Sequence, residues 1–191
     1  MKMKNLFAVK YFLIAMLAVS IFSCDSDDPE PVNEEELITT LKVTFTGTGN
    51  TTGVVEAIFQ DLDGEGGDDP VITNPTLMAN GTYNVTVQFL NETENPAEDI
   101  TEEVEEEDEE HQVFFVTAGG AELTYAYNDE DGDGNPVGLT GTATTGAAGS
   151  GTLQVLLIHE PNKGGSGVSD GDPTNAGGET DISVTFDLTI Q

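Results

Sequence analysis

Apolar side chains in this chain recur at every second residue. Leu37, Leu41, Val43 and Phe45 share one parity, while Thr40, Lys42, Thr44 and Thr46 hold the other. The same alternation sets Tyr83, Val85, Val87 and Phe89 against Asn84, Thr86 and Gln88. It also sets Ile182, Val184, Phe186, Leu188 and Ile190 against Asp181, Ser183, Thr185 and Asp187. A period of two predicts strands with one buried face. Weaker versions run over 54–60, 112–117, 122–127, 137–144 and 152–159, giving about eight strands in all. Threonine fills their polar faces, and Gly, Asn, Asp and Pro fill the gaps, as strand propensity and turn chemistry require. The only helix-like spacing is Ile100 to Val104, inside a run of carboxylates whose mutual repulsion predicts at most a short turn. The expected fold is all-β, a single antiparallel immunoglobulin-like β-sandwich, with a barrel as the alternative.

Antiparallel strands reverse direction at each step, so eight strands place their connections alternately at two poles. On that count, 47–53, 91–111, 128–136 and 160–180 share one pole. The last three hold most of the acid and both histidines, His111 and His159. The segment 61–81, with its own acidic piece DLDGEGGDD, is expected at the other pole.

The amino terminus changes where this domain is expected to live. Lys2, Lys4 and Lys10 precede an apolar run that ends at Ser23, the layout of a secretory signal over residues 1–23. That run is shorter than the roughly 20 apolar residues a membrane-spanning helix needs. Cys24 follows directly and is the only cysteine, so no disulfide framework exists. Ile21-Phe22-Ser23-Cys24 resembles a bacterial lipoprotein lipobox, although Ile21 stands where Leu is usual and Phe22 is bulkier than the typical residue. The alternative is an ordinary signal peptide beside a chance cysteine. Lipidation at Cys24 makes residues 24–36 an acidic tether and leaves 37–191 as the sandwich domain. The tether DSDDPEP is similar to the acid-rich signal that sends lipoproteins of Bacteroidetes-type bacteria to the outer face of the outer membrane, so the cell surface is the expected location.

Charge narrows the partners. All 36 acidic residues lie beyond Ser23, faced there only by Lys42 and Lys163, and the chain has no arginine. Phosphate neutralisation needs clustered cations, which excludes nucleic acid. The densest run is 98–110, where Glu105, Glu106, Glu107, Asp108, Glu109 and Glu110 form an uninterrupted acidic stretch. Such a run is either solvated surface or, as one of several long loops gathered at one end, a binding surface or metal site.

Two constellations could hold metal. Asp129, Asp131 and Asp133 with Gly134 match the opening of a calcium loop, but Thr140 stands where a bidentate Glu is needed and the flanks read as strands. Calcium is the candidate cofactor there, against a plain polar hairpin tip. His111 and His159, each at a strand end beside Glu110 or Glu160, could ligate zinc, copper or iron; separate surface histidines are the simpler account. Catalysis finds no motif. There is no G-x-S-x-G, no H-E-x-x-H, no phosphate loop and no tryptophan platform for sugars, so no enzyme is expected.

The pieces NEEELITTLKVTFT, DITEEVEEEDEEHQVFF, HEPNK and TNAGGETDISVTF resemble a family of small lipoproteins from Flavobacteria and relatives that carries the name type 1 periplasmic binding fold superfamily. The resemblance covers nearly all of 24–191. Its name implies a solute-binding protein with two α/β lobes, from which this chain departs, having no βαβ alternation and too few residues for two lobes. The combined expectation is a non-catalytic envelope lipoprotein, anchored in the membrane by its lipid, that works as a binding or accessory module, for example with an outer-membrane receptor protein. Divalent-cation capture by the acidic loops and a structural envelope role are the alternatives.

Overall fold

The computed structural model describes residues 37–191 apart from Glu65. Residues 1–36, which include the expected signal segment 1–23, Cys24 and the expected tether 24–36, lie outside the described residues. Two sheets pack face to face into an all-β sandwich. The first has the order β3-β2-β1-β5-β9-β8, where β1 is Thr40–Gly47, β2 Val54–Gln60, β3 Val71–Thr73, β5 Thr82–Asn91, β8 Leu123–Tyr127 and β9 Thr140–Thr145. A two-residue strand, β6 (Glu98–Asp99), pairs with the end of β5. The second sheet has the order β4-β11-β10-β7, with β4 Thr76–Leu77, β7 His111–Gly119, β10 Gly149–His159 and β11 Glu179–Ile190. Every pairing is antiparallel except that of β4 with β11.

The alternating pattern produces the core directly. Leu41, Val43 and Phe45 of β1 and Tyr83, Val85, Val87 and Phe89 of β5 point inward from one sheet. Leu153, Val155 and Leu157 of β10 meet them from the other, with Val184, Phe186, Leu188 and Ile190 of β11. Full burial of each such side chain contributes about 1.5–3 kcal/mol before the entropy of ordering it is counted. A smaller apolar cluster, Phe114, Ile158, Val168 and Ala176, includes outward-facing residues of β7 and β10 covered by the 160–178 loop.

The eight expected strands are all present, and three short ones join them. β3, β4 and β6 have two or three residues each, too few for a period of two to show. Two of them correct the pole assignment. β3 and β4 carry the chain back across the sandwich between β2 and β5, adding a transit that shifts the alternation. Residues 61–70 therefore leave β2 at the same end as 92–110, 128–139 and 160–178, whereas the 48–53 turn lies at the opposite end with 78–81, 120–122 and 146–148. All the long acidic connections share one end, the loop pole, and all the short connections share the turn pole. Chain entry is also at the loop pole, where Thr39 N–H donates to the Leu90 carbonyl at 2.9 Å.

The acidic run is also more ordered than its repulsion predicts. Ile100–Glu106 forms a helix, α1. Asp99 caps it by accepting from Thr101 N–H at 3.2 Å, and Glu102 and Glu103 sit in the first turn, where the helix dipole favours negative charge. Ile100 and Val104, one turn apart, are both buried against the core. Burial of that pair outweighs the like-charge repulsion, which acts at exposed positions screened by water.

Candidate functional site

Where α1 ends, the chain turns sharply into β7, and His111 is its first residue. Its parity with Val113 and its pairing opposite His159 bring both imidazoles together at the loop-pole end of the second sheet. The rings stack with centroids 4.7 Å apart and planes within 10°. His111 is fully buried, and its Nδ1 lies 3.2 Å from the carbonyl of Glu107, the C-cap of α1. A carbonyl only accepts, so Nδ1 carries the proton and Nε2 presents a lone pair in the neutral ring. That bond also satisfies a helix-end carbonyl. Burial pushes the His111 pKa down, against the opposing pull of the Glu107 carbonyl, which keeps the ring neutral.

Carboxylates flank the stack. Asp181 Oδ2 stands 3.9 Å from His111 Nε2, and Glu110 Oε2 stands 3.6 Å from His159 Nε2. The Asp181 side chain is only 5% exposed. Alternation places it on the polar face of β11, but a register shift intervenes. Leu157 pairs with Ile182 and Ile158 with Thr180, so Asp181 is the extra residue of a bulge, a device that re-aims a side chain. On the outer side, potential ligand atoms of Glu110, His159 and Glu160 lie within 4.8 Å of one another, and so do those of Glu107, His111 and His159. The Glu160 N–H donates to the Glu110 carbonyl at 2.7 Å, and Glu160 holds a left-handed φ of 49°, unusual for a residue other than glycine.

The DEDGDGN hairpin is organised around protein donors. Asp129 accepts from the backbone N–H groups of Gly138 (2.8 Å) and Thr140 (2.7 Å). Asp131 Oδ1 accepts from the N–H groups of Asp133 (3.0 Å) and Asn135 (2.8 Å), and its Oδ2 meets Lys163 Nζ at 2.9 Å. Asp133 points to solvent. The three aspartates thus do not converge as the calcium-loop spacing would have them: two are engaged by backbone and lysine donors. Burial opposes the charge on Asp131, but the Asn135 and Lys163 hydrogen bonds outweigh it and hold its carboxyl below the ordinary range.

Lys163 was not singled out by the pattern of residues, although one signal pointed to it: it is the sole cation in an otherwise acidic set of loops. It is buried, donates also to the Asp108 carbonyl, and so ties the 160–178 loop to the hairpin and to the end of the acidic run. Of that run, Glu105, Glu106, Glu107, Glu109 and Glu110 are exposed and Asp108 is half-buried. The other lysine, Lys42, pairs with Glu56 at 3.0 Å on the first sheet. Both described lysines are therefore already paired with carboxylates, which leaves the acid run and the histidine flank strongly negative.

No family model matches the sequence, and no curated protein or solved structure matches it. No helix among the described residues is long and apolar enough to cross a membrane.

Proposed function

We propose that this chain is a non-catalytic envelope lipoprotein, anchored through Cys24 at the outer membrane, that uses its loop pole to bind a membrane protein presenting basic residues. The observation that carries the reading is the collection of four long loops at the end where the chain enters the sandwich. Loops held by a rigid scaffold are the usual place for binding. Leu37 stands thirteen positions beyond Cys24, and extended chain spans at most about 3.6 Å per residue, so a lipid on Cys24 keeps that end within roughly 47 Å of the bilayer. Anionic headgroups repel such a surface, whereas a basic face on a neighbouring membrane protein attracts it and speeds encounter.

The test is site-specific photo-crosslinking in the native cells. A photoreactive side chain at Glu106 or Asp133 is expected to yield a discrete membrane-protein adduct, and one at Asn80 or Ala147 in the turn pole is not. Cys24→Ser should abolish fatty-acid labelling and the adduct together. Equal crosslinking from both poles, or none from the loop pole, contradicts the binding surface; undiminished labelling in the serine variant contradicts the anchor.

A further inference from the structure

The loop pole carries chemistry that a basic protein partner does not need. Its imidazole nitrogens, brought together by the pairing of His111 with His159, sit among carboxylates with no lysine or arginine bonded to Glu107, Glu110 or Glu160 among the described residues. We propose that Glu110, His159 and Glu160 form a site for a divalent transition-metal ion of the zinc class, backed by the stacked ring of His111. The proposal rests on the loop pole being a binding surface and specifies a ligand for it.

Distances support that set. Zinc holds imidazole nitrogen and carboxylate oxygen at about 2.0–2.2 Å in tetrahedral geometry, so two atoms on one ion stand about 3.4 Å apart. His159 Nε2 and Glu110 Oε2, at 3.6 Å, are too far for a hydrogen bond and close to that spacing. Glu160 reaches the same place because its backbone is bonded to that of Glu110 on the neighbouring strand's approach, in the left-handed conformation already described. One nitrogen and two oxygens from the protein leave positions for water or for a ligand delivered with the metal. Glu110 and Glu160 are exposed, so an ion has a path from solvent.

The support behind the site is built as metal sites require. The His159 ring cannot swing inward, because the His111 ring lies against it with nearly parallel planes. His111 is itself held by the hydrogen bond from its Nδ1–H to the Glu107 carbonyl, while Asp181 Oδ2 stands 3.9 Å from its Nε2. Residues behind the ligands fix their orientation, here by ring stacking on His159. The choice of ion follows from the donors. Imidazole suits zinc and its neighbours, while calcium and magnesium prefer an all-oxygen shell. Because His111 stacks and does not itself need to ligate, the arrangement described here can accept the ion without opening the pair.

The experiment uses the full-length chain purified in detergent, with zinc competed against a chromophoric chelator. Expected are one zinc ion per chain, little displacement by a hundredfold excess of calcium, and zinc affinity at least tenfold weaker in His159→Gln and in the double variant Glu110→Gln/Glu160→Gln. The double variant changes exposed residues only, so it remains informative if His159→Gln fails to fold. Glu102→Gln/Glu106→Gln removes the same charge from the helix and should leave the affinity within twofold. An equal loss in that control means diffuse attraction to the acidic run and overturns the site. So does equal competition by calcium, or no zinc binding at all. None of these three failures changes the crosslinking pattern, so the two readings fall separately.

Discussion

At the turn pole the reversals rest largely on close backbone approach; at the loop pole more of them rest on side chains bonded to backbone. Gly149 and Gly151 show the first case. A Cβ on Gly149 would lie 2.0 Å from the Gly120 carbonyl oxygen, and one on Gly151 would lie 2.1 Å from that of Ala118. Thr145 and Tyr83 complete that end with short bonds to the 78–81 turn, including Met78 N–H to the Tyr83 hydroxyl at 2.7 Å. At the loop pole the same work is done by Asp99, Asp129, Asp131, His111 and Lys163, which bond main-chain groups from two to 55 residues away. Glycine contacts leave no room for variation. Side-chain contacts leave exposed positions between them, where residues can serve a ligand without disturbing the fold.

The largest way to break this contrast is Lys163→Ala. Removing one partner of a buried pair leaves the Asp131 carboxylate without its cation, held only by the Asp133 and Asn135 N–H groups, at a cost of about 3–5 kcal/mol. Denaturant unfolding should show that loss. Hydrogen exchange should report lost protection at Asn135 and Glu160 with Gly120 and Thr145 unchanged at equal global stability. The same pair predicts acid sensitivity. Asp131 titrates below its ordinary value of 3.8 in the folded chain, so the pairing contributes fully above that value. It is lost as pH falls through the lower folded value, when proton uptake favours the unfolded chain. In Lys163→Met/Asp131→Leu the acid-dependent part of the stability curve attributable to this pair should vanish.

Next in size is Gly151→Ala, which forces a methyl group onto the neighbouring carbonyl and should cost about 1–3 kcal/mol, read as a lower denaturation midpoint with unchanged slope. Asp99→Ala removes the cap of α1 and should cost about 1 kcal/mol. Its exchange effect should be confined to the helix and the end of β5. Smallest is Glu106→Gln, expected within about 0.5 kcal/mol of the parent because the side chain is exposed. Its small effect should shrink further as salt is added. A cost above 1 kcal/mol there would mean the acidic run is structural, and the division of labour between the poles would need redrawing.

The sandwich was legible because β1, β5 and β11 are long enough for alternation to be visible, and because, Leu90 apart, only their inward residues are apolar. What the alternation could not show were strands of two or three residues, and missing β3 and β4 misplaced two connections. The helix was hidden for a different reason. Charge repulsion is visible in a sequence, while the burial of Ile100 and Val104 depends on a sheet assembled from distant residues. At the site, the shared pole of His111 and His159 could be read from strand ends. Asp181 could not, since a bulge overrides the very parity used to assign it to solvent. Asp129 and Asp131 matched a calcium motif by spacing alone; the backbone donors that take up their oxygens follow from the hairpin's course, which spacing does not encode.

The odd number of crossings made by the chain has a practical use. β1 starts among the loops and β11 finishes among the turns, where Gln191 N–H donates to the Leu77 carbonyl at 2.9 Å. A fluorescent tag attached at Gln191 would therefore hang from the far tip, a strand's length or roughly 40 Å from the proposed metal ligands. A label that itself binds no metal can then serve the crosslinking and zinc assays without covering the surface under study.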